Sequence, residues 1–378
     1  MRRTAPISSK GSSVDLPSLN ALALRSLVSL FEAKENLFCR CATITKDGLH
    51  QETTSRKRTV IALLGLRRLA QSGGSQPFDL RSIANTLLKD TDWVRGVGDL
   101  GLLTWFTAEF LPERLPQLFE EFDFNRALEI CPDGRQARTT GLAWFLAGLS
   151  HARMSSAGTI LDLTDVAADA YHLLVNNQGE NGIFGQAAYP GLLKRAFCNR
   201  FGTFGDQIHA IYALTTFAKA FEIEEPLESA LNCGNSIRGL QGEMGQWWFL
   251  YDKRACRVVN RYPVLSLHQD GTAPVGLLAL GEATGQSFHE AILKGLSWVA
   301  GTNELRQDLR NVDRSLIWDS IAPRGKLEKY WEGALNCANI SRAYREASLG
   351  IRYEARPDHF GWLLYAFGEF GLPGTATG

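Results

Sequence analysis

The sequence predicts an all-α chain folded as a toroid of the (α/α)6 type, an inner ring of helices wrapped by an outer one, with a small β-hairpin insertion near residues 246–263. Three observations carry this expectation. Strand-like alternation is scarce, while helical periodicity recurs from about residue 18 to the end. A set of segments rich in Gly, Ala and bulky apolar residues is apolar nearly all round, as helices buried on more than one side must be. Finally, "QGENGIF" (178–184) and "QGEMGQW" (241–247) spell the same pattern 63 residues apart, as a repeated helical-hairpin unit would.

Taken in chain order, "MRRTAPISSKGSSVD" is basic and Ser-rich but leads into no clean apolar core or cleavage site, so residues 1–15 read as a disordered tail rather than a secretory signal. Residues 16–378 then form a single toroid domain. The inner-type segments run through 58–70, 98–110, 138–149, 206–221, 272–283 and 358–370. More polar, amphipathic segments at 163–177, 226–239 and 287–301 supply the outer layer. Each copy of the repeat follows an outer-type helix and precedes an inner one, and the third outer helix runs into "GTNEL" (301–305) at about the same interval. The long connection "QWWFLYDKRACRVVNRYP" (246–263) carries the hairpin.

Lys plus Arg (40) equals Asp plus Glu (40), which removes the basic footprint of a nucleic-acid binder and the main reason to bind a membrane surface. No apolar run reaches the roughly 20 residues that cross a bilayer. The seven cysteines (39, 41, 131, 198, 233, 256, 337) are odd in number and form no C-x-x-C pair, so neither a disulfide framework nor a zinc cage is expected. A cytoplasmic protein without metal or cofactor is the resulting expectation.

The Q-x-x-x-G-x-aromatic spelling, met at Gln178, Gly182 and Phe184 and again at Gln241, Gly245 and Trp247, resembles the QW motif of the terpenoid cyclase and protein prenyltransferase superfamily of α/α toroids. The resemblance implies a structural clamp in which the glutamine amide ties off a helix end, the aromatic stacks on it and the glycine permits a tight turn. The superfamily's chemistry does not carry over. In place of D-x-D-D stands Asp90-Thr91-Asp92-Trp93, and neither the zinc-binding D-x-C nor the ionising D-D-x-x-D is found. The blocks 200–214 and 261–285 look like uncharacterised toroid proteins associated with bacterial polysaccharide-biosynthesis loci, which turns the expectation toward sugars.

In such a ring, polar residues at the N-terminal ends of inner helices line one mouth of the cavity. Asp206 and His209 share a helix face and offer an acid beside an imidazole for acid–base catalysis, with Gln207 between them for substrate binding. Asp206 could equally be a helix cap. His268 and Asp270, with Gln269, form a second cluster before the helix containing Pro274. Along the connection, Trp248 and Tyr251 could stack on a sugar face, while Asp252, Arg254 and Arg261 could bind an anionic substituent or form surface salt bridges. Glu180 and Glu243 sit inside the repeat and read as helix-end charges. Asp319 and the Asp358–His359 pair are further candidates.

The expected function is a carbohydrate-active enzyme of hydrolase, lyase or epimerase type, taking a small-molecule or glycan substrate in the toroid cavity. The alternatives are a terpenoid (squalene) cyclase-like enzyme and a non-catalytic toroid that only binds.

Overall fold

The computed structural model describes residues 8–9, 12–46, 48–128, 138–158, 161–187, 199–324 and 349–373. Its helices are α1 (Leu16–Ser29), α2 (Arg56–Gln71), α3 (Leu80–Leu88), α4 (Val97–Phe110), α5 (Leu115–Glu121), α6 (Phe124–Leu128), α7 (Thr139–Met154), α8 (Thr164–Val175), α9 (Phe204–Phe221), α10 (Glu225–Gly239), α11 (Ala273–Thr284), α12 (His289–Val299) and α13 (Pro357–Phe367). Most of the expected N-terminal tail lies outside the described residues. α1 begins at Leu16, where the Asp15 carboxylate accepts the Ser18 N–H.

The six inner-type segments are α2, α4, α7, α9, α11 and α13. Each packs on the next, and α13 packs back on α2, so the inner ring closes. α3, α5, α8, α10 and α12 lie outside, each against the inner helix it follows. α1 covers α13, pairing the two ends of the chain, and the Asn20 amide donates to Phe367 O (2.8 Å) and Gly371 O (2.9 Å) to fasten them. The apolar circumference of the inner helices follows from this position between the outer layer and the axis. α2 and α13 cross glycine to glycine, where a Cβ on Gly65 would stand 2.1 Å from Gly361 O.

The repeated turns bind successive units together. Gln178 Nε2 donates to Gly182 O (2.9 Å) within its own turn and to Ser229 O (2.8 Å) on α10. Gln241 Nε2 repeats this with Gly245 O (3.0 Å) and Ala291 O (2.9 Å) on α12. Each amide therefore ties its turn to the following outer helix. Ser229 and Ala291 lie near the starts of those helices, so each amide does hold a helix end, as the resemblance implied. The Trp247 ring stacks on Phe204 (5.1 Å). Gly182 (φ +86°) and Gly245 (φ +97°) lie in the left-handed region, and a Cβ on Gly245 would meet Lys294 O at 2.2 Å. Glu180 and Glu243 are exposed on these turns rather than set at helix ends.

The chain is mostly helical, yet it holds more strand than one hairpin. The expected hairpin is Leu250–Asp252 with Arg257–Asn260, and Phe201–Thr203 adds a third strand. Two further three-stranded antiparallel sheets join Ala42–Thr45 to Gly48–Gln51 and Glu354–Ala355, and Ser320–Pro323 to Val264–Leu265 and Leu349–Arg352. Strands of two to four residues are too short to display alternation, so the sequence pattern hides them. Several of them lead directly into the N-termini of inner helices, and they gather at that mouth.

No helix among the described residues is long and apolar enough to cross a membrane. Cys39, Cys41, Cys233 and Cys256 are free thiols, while Cys131, Cys198 and Cys337 lie outside the described residues.

Candidate active site

The loops before α9 and α11 converge. The Phe204 ring meets His268 edge-on at 5.0 Å, and a Cβ on Gly205 would stand 3.7 Å from His268 Cε1. One turn into α9, His209 packs against Trp144 of α7 (5.2 Å) and Trp362 of α13 (5.7 Å). Lys57 of α2 sits over the Trp144 ring at 4.7 Å and pairs with Asp99 of α4 (2.7 Å). His268 opens a wide five-residue π-turn, His268–Thr272, that precedes α11. Side chains from around the whole inner ring thus meet at one mouth.

The same π-turn carries Asp270, whose Oδ1 lies 2.6 Å from His359 Nε2 on the first turn of α13. Both side chains are removed from solvent, and Asp270 Oδ2 has no hydrogen-bond partner among the described residues. Behind them, buried Asp319 is paired with Arg356 (3.2 Å), and Asp358 with Arg58 (3.3 Å).

These surroundings push the imidazoles apart in basicity. Although part of each ring still faces the mouth, His209 and His268 are enclosed by protein, and burial drags both down to about 3. The charge of Lys57 adds to this at His209, and those of His209 and His359 add at His268. For His359 burial works in the same direction, but the charge and hydrogen bond of Asp270, with Asp319 and Asp358 beyond, raise it above its ordinary value. Two imidazoles that take a proton less readily than usual therefore stand near one that holds it more readily.

Other residues singled out from the sequence have different employment. Asp206 is the N3 member of a capping box whose N-cap is Thr203: its carboxylate accepts from Thr203 N (2.8 Å), Thr203 Oγ1 (2.7 Å) and Thr140 Oγ1 (2.7 Å). Burial raises its pKa and these hydrogen bonds oppose the rise. Gln207 and Gln269 are a second repeated fastening. Gln207 accepts the Phe184 N–H (2.7 Å) and donates to Phe184 O (2.9 Å), and Gln269 accepts the Trp247 N–H (3.3 Å). Neither amide is free for a substrate.

Tyr251 is fully buried, so its ring presents no face to a sugar. Asp252 is buried too, holding Arg200 (2.7 Å) and the backbone N–H groups of Arg254 (2.9 Å) and Ala255 (3.2 Å) in the hairpin turn. The Arg254 side chain is exposed, and the Arg261 guanidinium lies over Trp248 at 5.2 Å. Trp248 alone of this group borders the mouth, lining with Phe204, Trp247 and His268 a narrow slot of about 160 Å³. Among the described residues no group of three or more His, Cys, Asp or Glu is arranged to hold a metal ion.

Sequence reasoning gave His359 little weight and overlooked Trp144, Trp362 and Lys57. The available signal was placement: His359, like His209, lies in the first two turns of an inner helix. A cavity of about 670 Å³ opens at the other end of the ring, where inner helices terminate. The clustered imidazoles and the unpartnered Asp270 oxygen single out the N-terminal mouth despite its smaller void.

The fold has counterparts among solved structures. A sugar epimerase from a ruminal bacterium superposes with a TM-score of 0.61 at 8% identity, over 94% of this chain and 99% of its own. A possible member of the GH105 family from Salmonella enterica gives 0.60 at 13% identity, over 97% of each chain. Cellobiose 2-epimerase from Bacillus thermoamylovorans gives 0.59 at 10% identity, over 93% of this chain and 98% of its own. At such identities the likeness establishes the α/α-toroid fold. No family model and no curated relative matches the sequence.

Proposed function

We propose that the protein is a carbohydrate-active enzyme that moves a proton at a sugar carbon next to a carbonyl, as an epimerase or isomerase does. The observation that carries this reading is the Asp270–His359 pair beside His209 and His268 at one mouth. A neutral imidazole, His268 or His209, takes the proton. Imidazolium His359, oriented and kept charged by Asp270, gives one back or stabilises the enolate oxygen. Half-buried Trp144 supplies a ring suited to a pyranose, and the Trp248 edge borders the slot beside it. The toroid neighbours that are named as sugar enzymes lend this choice of substrate class its support.

Glycoside hydrolysis is the less favoured chemistry, because it calls for two available carboxyl groups. Here both oxygens of Asp206 are engaged in its capping hydrogen bonds, which leaves only Oδ2 of Asp270 without a partner. A terpenoid cyclase-like reaction wants a strong acid in an aromatic pocket, yet Asp90 of the D-T-D-W string is paired with Arg56 (2.6 Å) and Asp92 is exposed. The test is a proton NMR time course of reducing mono- and disaccharides with the wild-type protein. A new epimer or ketose supports the proposal, glycosidic cleavage replaces it with hydrolysis, and binding without conversion leaves a non-catalytic toroid.

A further inference from the structure

Asp319 stands between the two halves of the Asp270–His359 pair, and the proposed reaction gives it no part. Its backbone is joined to the approach of the π-turn. Asp319 O accepts the Ser266 N–H (2.8 Å), and Ser266 Oγ donates to Trp318 O (2.6 Å) beside it. At the same place Val264 and Leu265 pair with Ile321 and Ser320. Ser266 is two residues before His268 and four before Asp270, so the chain entering the π-turn is fixed on Asp319.

The buried Asp319 side chain is joined to the start of α13. Its Oδ1 lies 3.2 Å from Arg356 Nε, its Oδ2 accepts the Ser320 hydroxyl (3.1 Å), and Arg352 lies 4.0 Å away. Arg356 is the N-cap of α13, and its carbonyl accepts the His359 N–H (3.1 Å). Asp319 N donates to Glu354 O (2.9 Å), two residues ahead of that cap. An arginine is a poor choice for this position, since its side chain has no acceptor for the first-turn N–H groups and its charge is opposed by the helix dipole. Arg356 makes no side-chain capping bond. Its guanidinium is engaged by Asp319 and Glu354 instead, a use that forming the helix does not require.

The charges around His359 fit this arrangement. Burial lowers its proton affinity, and Asp270, then Asp319 and Asp358, raise it. The other charged or titratable neighbours are His268 on the π-turn, Arg356 at the helix start, Arg58 of α2 on Asp358, and Arg310 within reach of Asp270.

We infer that Asp319 is a positioning residue for proton transfer: its backbone anchors the strand that enters the π-turn, and its carboxylate, acting through Arg356, holds the first turn of α13 so that His359 meets Asp270. This role rests on the proton transfer assigned to His359, so one arm of the test needs no turnover.

In that arm, NMR of the ¹⁵N-histidine-labelled protein follows the His359 ring across pH, its signal assigned by its absence in His359→Asn. Asp319→Asn should lower the His359 midpoint by about 0.5 or more on the pH scale, because it removes a carboxylate and leaves the Arg356 cation less balanced. In the second arm, with a sugar that the wild type converts, Asp319→Asn and Arg356→Gln should each lower kcat about tenfold or more, with KM within about twofold. Both cut the same link, so the double variant should lose no more than about twofold beyond the weaker single one. Thermal melts check folding, and Asp319→Ser serves if Asp319→Asn does not fold. An unmoved midpoint, or losses that multiply in the double variant, would overturn the inference. If no sugar is converted, the reaction assigned to the mouth fails, and the midpoint alone decides whether Asp319 acts on His359.

Discussion

His359 Nε2 lies 2.6 Å from Asp270 Oδ1, with both side chains out of solvent, at the join between the fifth and sixth helices of the inner ring. The pair raises the proton affinity of one imidazole beside two others that burial keeps neutral.

Replacing either partner should remove activity without unfolding the ring. His359→Asn is expected to lower kcat by about 10²–10⁴. Because Asp270 holds the His359 pKa up, kcat/KM should fall as pH rises through that elevated value. Asp270→Asn should move this basic limb to lower pH, a displacement that a packing defect would not produce. Steady-state kinetics across pH, with thermal melts as control, check both.

Acid should weaken the fold through His209 and His268. Unfolded imidazoles take protons below about 6.5, whereas these two stay neutral in the folded state down to about 3, so stability is lost as pH falls between those values. His359 acts in the opposite sense: its contribution is fully present below its unfolded pKa and is lost as pH rises through the raised folded one. Urea midpoints from pH 7 to 4 should therefore decline, and His268→Gln should flatten the decline.

The glutamine turns are structural. Gln241→Ala removes donors to Gly245 O and Ala291 O and should cost about 1–3 kcal/mol. Gly245→Ala adds both a left-handed backbone penalty and a 2.2 Å clash with Lys294 O, and should cost more than the glutamine change. Denaturant titrations measure both, and activity per folded molecule should be unchanged in Gln241→Ala.

Tyr251 offers a check on a residue the sequence recommends and the structure does not. Its hydroxyl is buried, with the Trp248 backbone as its polar neighbour and no side-chain hydrogen bond among the described residues. Tyr251→Phe should change stability by no more than about 1 kcal/mol, with KM unaltered. A large rise in KM would return Tyr251 to the substrate.

Much of the architecture was legible because it rests on patterns that recur. The inner helices are apolar all round since both sides are covered, and the repeat at Gln178 and Gln241 is spaced by one hairpin unit. The same logic would have reclassified Gln207 and Gln269, which follow the clamp glutamines by 29 and 28 residues and so repeat with the scaffold. The Asp270–His359 pair was not legible, because the two residues are 89 positions apart and only ring closure joins them. Asp206 illustrates the converse: a carboxylate at a helix start looks alike in sequence whether it caps or catalyses, and Thr140, 66 residues away, helps decide the matter.

The most direct test is incorporation of solvent deuterium into reducing sugars incubated in D₂O with the wild-type protein and with His359→Asn, followed by NMR. Deuterium appearing at the carbon beside the carbonyl, at a rate at least 100-fold lower in a variant that melts like the wild type, is the predicted result. Turnover of a sugar with no label at that carbon, or labelling equally fast in the variant, would contradict the assignment of His359 and Asp270 to proton transfer.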